Sequence, residues 1–198
     1  NNKFSFYGGM RAAAQMLSYE IPMGLAILVV VLTTGQVRLE NIVEHQMETA
    51  WNVLLQPLAF LILLVTAFAE TNRMPFDLAE SEQELVGGYH TEYSSMKMAM
   101  FFLGEYAHLI TVSAFMTTLF FGGWELFPFS TSLDWGWINW IYHSQTLAAG
   151  ICQFAIVFGK VGAFILFFMW VRWTLVRPRF DQLMRFAWNG LVPAGIAL

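Results

Sequence analysis

Residues 151–174 read ICQFAIVFGKVGAFILFFMWVRWT, an apolar run with a single charge, Lys160, ahead of Arg172. A helix needs roughly 20 such residues to cross a bilayer core, and this run supplies them. In water such a segment would have to be hidden on every side; in lipid it can stay exposed. Comparable runs cover residues 11–34, 51–69 and 98–121, and a shorter one covers 186–198. The expected architecture is an all-α, polytopic transmembrane helix bundle of about five spans, one membrane domain over residues 1–198. Two long connections separate the spans, an acidic loop at 70–97 and an aromatic loop at 122–150. The final run allows roughly 20 Å of helix at 1.5 Å per residue, so this span is expected to be truncated. With Asn1 at the start and no basic-apolar-cleavage pattern before the first span, no signal peptide is expected, and the sequence reads as a piece of something longer.

Composition agrees. Of 198 residues 57% are hydrophobic and 12% charged, with 19 Phe, 11 Met and 8 Trp, and the mean hydropathy is +0.54. That is far more apolar than a soluble domain and argues against a soluble enzyme. The net charge of -4, with ten Lys and Arg scattered among fourteen acids, argues against a nucleic-acid partner, which would need a basic stripe. The single cysteine, Cys152, excludes an internal disulfide or a thiolate-bound cluster.

Orientation follows from the basic residues. Lys3, Arg11, Arg73, Lys97, Arg172, Arg177, Arg179 and Arg185 all fall on one side of the alternating spans, while the other side holds Arg38. The positive-inside rule therefore puts the acidic loop on the cytoplasmic side of a multi-pass protein. The 122–150 loop, with Trp124, Trp135, Trp137, Trp140 and Tyr142, is expected on the outer surface at headgroup depth.

Several ionisable groups lie inside the spans: Glu20 in the first, Glu105 and His108 in the third, Lys160 in the fourth. A charge at a helix centre costs about 2.5–3.5 kcal/mol on insertion scales. Either these groups snorkel or pair off within the bundle, or together they form a polar path through it. Pro22, two residues after Glu20, removes a backbone donor and can loosen the helix beside that carboxylate.

The densest signal is ETNRMPFDLAESEQELVGGYHTEY, residues 70–93, with six carboxylates against one arginine. If Asp77, Glu80 and Glu84 share a helix, their spacing stacks them on one face, where exposed like charges repel by a few tenths of a kcal/mol per pair. Burial would raise that cost and lift the carboxyl pKa values toward neutrality, as a proton-exchanging site requires. The bland alternatives are a solvated acidic surface and a capping box at Ser81-Glu82-Gln83-Glu84.

Other chemistries fit poorly. Glu105-Tyr106-Ala107-His108 has the E-x-x-H spacing of carboxylate-bridged di-iron bundles, but no second copy exists. Haem held by two imidazoles would need a second histidine within a span, whereas His45, His90 and His143 fall in loops. Phosphate-loop, dinucleotide, nucleophile-elbow and H-E-x-x-H motifs are absent.

The acidic run resembles a known family: the quinone-channel membrane subunit, of the bacterial H type, of respiratory complex I, the proton-pumping NADH:quinone oxidoreductase. The resemblance rests on Glu70-Thr71-Asn72-Arg73, then Pro75-Phe76-Asp77-Leu78, the alternating acids Glu80, Glu82 and Glu84, Leu85-Val86, Gly88-Tyr89 and Glu92-Tyr93. It extends to Arg11-Ala12-Ala13-Ala14-Gln15 with Ser18-Tyr19-Glu20, to Phe101-Phe102-Leu103-Gly104-Glu105-Tyr106, to Lys160, and to Arg172-Trp173-Thr174-Leu175 with Asp181-Gln182-Leu183-Met184. Departures are Asn189 after Trp188, where a lysine is usual, and the 176–179 stretch.

The resemblance implies that these are the last five of about eight transmembrane helices. It implies a subunit without a redox centre in a proton-translocating oxidoreductase. No cofactor or metal would be bound by this chain. Quinone would be the substrate, with flavin and iron-sulfur clusters in partner subunits of the complex. Glu70, Arg73, Asp77, Glu80, Glu82, Glu84 and Glu92 would line the quinone cavity and begin the proton coupling. Glu20, Glu105 and Lys160 would form the intramembrane proton path. The membrane would be a bacterial plasma membrane or an organelle inner membrane. The alternatives are the equivalent subunit of a ferredoxin-fed or hydrogenase-type relative and a stand-alone ion transporter; a di-iron oxidase is a minor one.

Overall fold

The computed structural model describes residues 3–71, 76–77, 93, 95–128, 140–142, 146–176 and 178–198, and these are helices and their connections, with no strand among them. Helix α1 spans Lys3–Thr34, eight residues ahead of the expected start of the first span. It continues through Pro22, whose ring has no N–H to offer the carbonyl of Ser18 one turn earlier. Helix α1 ends at Gly35, which adopts the left-handed φ of 68° that favours glycine.

A short amphipathic helix, α2 (Leu39–Glu48), follows; the hydrophobic runs did not announce it. It buries Ile42, Val43 and Gln46 and exposes its glutamates. The expected span at 51–69 is broken. Helix α3 covers Asn52–Leu55, Gln56 leaves helical geometry at φ -133°, ψ 62°, and α4 restarts at Pro57 and runs to Glu70. The residue before a proline is pushed out of the helical region while the proline itself suits a first turn, so Gln56-Pro57 breaks the chain at that point.

Helix α5 spans Met96–Phe120 and α6 spans Leu147–Thr174. The last segment is helical well before residue 186. Helix α7 (Phe180–Phe186) starts behind a reciprocal capping contact between Arg179 and Gln182, passes through a wider π-type turn at Ala187–Leu191, and ends as α8 (Val192–Ile196). Among the described residues, three helices are long and apolar enough to cross a membrane: Ser5–Thr34 within α1, α5 and α6; α4 is apolar but shorter.

Packing is tightest between α4 and α1, and α5 lies along α6. Ala26 of α1 and Ala59 and Ala67 of α4 are fully buried, and such small side chains let backbones approach where lipid supplies no hydrophobic drive. Aromatic rings fill the wider gaps: Phe68 lies 4.2 Å from Phe168, Phe60 5.5 Å from Phe120 and Phe121 5.2 Å from Phe164. The outer faces of α1, α5 and α6 carry exposed Met, Leu, Phe and Trp, as a lipid- or protein-facing surface would.

Candidate functional site

Two polar centres interrupt this apolar bundle, one at each end of α4. The first lies where α4 meets the acidic run. Gln15 of α1, buried, donates from Nε2 to the carbonyl oxygens of Ala69 at 2.8 Å and Phe76 at 2.9 Å. One side chain thus ties the chain on both sides of Thr71 to α1. Thr71 closes α4 by donating through its backbone N–H and its hydroxyl to Ala67. Tyr19 stacks against Phe76 at 6.1 Å and its hydroxyl donates to the Leu183 carbonyl at 3.0 Å. Trp188 Nε1 donates to Ser18 Oγ at 3.2 Å, and the Arg11 guanidinium lies 5.6 Å over the Phe180 ring. Residues from α1, α4 and the carboxy-terminal helices therefore converge on one end of the bundle.

Glu70 sits in that convergence, half-buried, at the last position of α4. The C-terminal end of a helix carries partial negative charge, so a carboxylate there is poorly placed for helix stability. Among the described residues, His108 of α5 lies opposite it, with Nε2 3.7 Å from Glu70 Oε1, and would compensate it when protonated. Asp77 is half-buried just beyond Phe76. Glu105, also half-buried, precedes His108 by one turn on α5. Glu20 is exposed on α1. Arg73, Glu80, Glu82, Glu84 and Glu92 lie outside the described residues, as does the Ser81 capping box.

The second centre is at the opposite end of α4. Lys160 Nζ donates to the carbonyl oxygens of Phe121 at 2.5 Å and Gly123 at 3.1 Å, and to that of Glu125. It also lies 4.8 Å over the Trp51 ring. Trp51 Nε1 donates to Glu125 Oε2 at 2.9 Å, and Glu125 is fully buried, its carboxylate acting on the Lys160 charge. Gln46 donates to the Thr118 carbonyl at 3.0 Å and Asn52 to that of Leu119 at 2.8 Å. The carbonyls that the C-terminus of α5 leaves unpaired are thus met by side chains from α2, α3 and α6. Gly122 and Gly123, with φ of 65° and 49°, turn the chain inward so that Glu125 reaches this place. The start of the 122–150 loop is therefore folded into this end of the bundle.

Of the expected intramembrane groups, Glu105 lies one turn before His108 on α5, whereas Lys160 belongs to the other centre. Sequence reasoning missed Glu125 and the pairing of His108 with Glu70. The signal for Glu125 was present: Lys160 needed a counter-charge, and Gly122-Gly123 announces a turn just before a carboxylate in an apolar stretch.

The family model for NADH dehydrogenase matches residues 1–198. The H-type subunit of the NADH-quinone oxidoreductase of Flavobacterium psychrophilum is 48% identical over 197 residues, covering 99% of this chain and 55% of the relative. That of Protochlamydia amoebophila is 50% identical over 197 residues, covering 99% and 53%. NADH-quinone oxidoreductase subunit 8 of Rhodothermus marinus is 47% identical over 201 residues, covering 100% and 58%. The chain spans about half the length of the curated relatives it matches.

Proposed function

The chain belongs to the NADH dehydrogenase family, and from that premise we propose that it is a membrane subunit of a proton-translocating NADH:quinone oxidoreductase that walls the quinone cavity and couples quinone reduction to proton movement. Electrons reach the quinone from flavin and iron-sulfur clusters in partner subunits, and this chain supplies carboxylates. Reduction to quinol takes two electrons and two protons and passes through forms with excess negative charge. Half-buried carboxyl groups beside the headgroup answer such a change by binding or releasing protons.

Glu70, Arg73, Asp77, Glu80, Glu82, Glu84 and Glu92 take the cavity role, and Glu105, Glu20 and Lys160 continue the path into the membrane. The basic-residue asymmetry orients the Glu70 end toward the cytoplasm of a bacterial cell, or toward the equivalent compartment of an organelle. The observation that carries the reading is Glu70: a carboxylate held half-buried at the end of α4 where the helix dipole disfavours it.

The test is Glu70→Gln in the assembled complex. We expect NADH oxidation by a water-soluble artificial acceptor to be unchanged, which reports assembly, and quinone reductase activity to fall by about tenfold or more, a modest loss for a group that handles protons. Wild-type quinone turnover with wild-type proton pumping would refute the site.

A further inference from the structure

His108 is a titratable group to which the proposed path gives no task. Its Nε2 is closed off from solvent, has no hydrogen-bond partner among the described residues, and points at Glu70 Oε1 from 3.7 Å. That separation exceeds a hydrogen bond by roughly half an ångström, a gap that a small side-chain rotation closes, and contacts of this kind often tighten only when substrate is bound. On its own helix, Glu105 lies three residues earlier, so the two side chains are neighbours on one face of α5. The imidazole therefore lies against the carboxylate that ends α4, on the same face of α5 that carries Glu105. Imidazole can accept a proton on one nitrogen and release one from the other.

From this geometry we propose that His108 relays protons between Glu70 and Glu105, joining the acidic run to the intramembrane carboxylates; the proposal rests on the coupling role given to those carboxylates above. In one passage the O–H bond of protonated Glu70 breaks as an Nε2–H bond forms, leaving a carboxylate and an imidazolium. The Nδ1–H bond then breaks and its proton goes to Glu105, which becomes the neutral acid. His108 is left neutral with its proton on Nε2, and a ring flip or the reverse transfer resets it. No electrons move in these steps.

A merely structural role is the competing explanation, in which an imidazolium clamps Glu70 and holds α4 to α5. His108→Lys separates the two, because lysine keeps the positive charge and the clamp but holds its proton at neutral pH. His108→Gln keeps size and a hydrogen-bond donor but carries no charge and cannot relay. Both are measured in the assembled complex beside Glu70→Gln and Glu105→Gln, reading artificial-acceptor activity, quinone turnover and protons pumped per quinol. The relay predicts that both His108 variants assemble, lose about tenfold in quinone turnover, and show a flatter pH dependence of turnover around neutrality. The His108→Gln, Glu105→Gln double variant should be no slower than the slower single, as expected for members of one path. Full activity in His108→Lys would establish the clamp and overturn the relay. Full activity in both His108 variants, with activity lost in the two glutamate variants, would overturn the relay and leave the proposed function standing. Full activity in all four would overturn both.

Discussion

Among single residues, the Lys160 centre makes the sharpest claims. A Cβ at Gly122 would lie 2.6 Å from Glu125 Oε2 and 2.9 Å from Trp51 Nε1, on a backbone whose φ of 65° already disfavours a side chain. We expect Gly122→Ala to cost about 2–3 kcal/mol, read as a lower thermal midpoint in detergent. Lys160→Met would leave the Phe121 and Gly123 carbonyls without their donor and Glu125 buried beside Trp51 without the neighbouring ammonium, at about 1–3 kcal/mol for each group that stays buried. Adding Glu125→Gln should recover part of that loss, and a double-mutant cycle measures the recovered share. Lys160 was legible in the sequence because a charge in an apolar run is conspicuous. Glu125 was missed although the Gly122-Gly123 turn stands just before it, because the cation that explains its burial lies in a different helix.

Elements were read best where one physical rule acts alone. Helices α1, α5 and α6 follow from apolar length, and they start two to eight residues before the expected runs because hydropathy weakens before the helix does. The helix expected at 51–69 is interrupted because apolar length competed with a proline rule, and Gln56-Pro57 decided the outcome. Helix α2 escaped notice because its buried face holds Ile42, Val43 and a glutamine, too little to register as an apolar run. The candidate site was legible as an inventory of acids and illegible as an arrangement. Gln15 contacts the Ala69 and Phe76 carbonyls from a distant part of the sequence, and no periodicity encodes that meeting. Gln15→Leu removes both ties and leaves two carbonyls without their donor, a cost of about 1–3 kcal/mol for each group that stays buried. We expect faster hydrogen exchange at Thr71 and Phe76, and a raised quinone KM in the assembled complex; unchanged exchange would show that Gln15 does not hold this segment.

For the whole molecule, the informative feature is the outward face of α1. Met16, Leu17 and Ile21 are exposed there, and Glu20 is exposed among them. Lipid tolerates the apolar side chains and penalises the carboxylate. We expect this face to be covered by protein in the intact complex, so a photoreactive residue at Leu17 should crosslink mainly to polypeptide. A yield of lipid adducts alone would show that Glu20 faces the bilayer.

The cradle around Lys160 also bears on how the chain is made. Trp51, Phe121, Gly123 and Glu125 all precede Lys160 in the sequence, so a ribosome delivers every group that compensates the ammonium before the ammonium itself emerges. When α6 enters the bilayer its charge has a prepared berth and need not wait in hydrocarbon for later synthesis. In the reverse order the growing chain would hold an orphan cation in the membrane until its counterpart arrived.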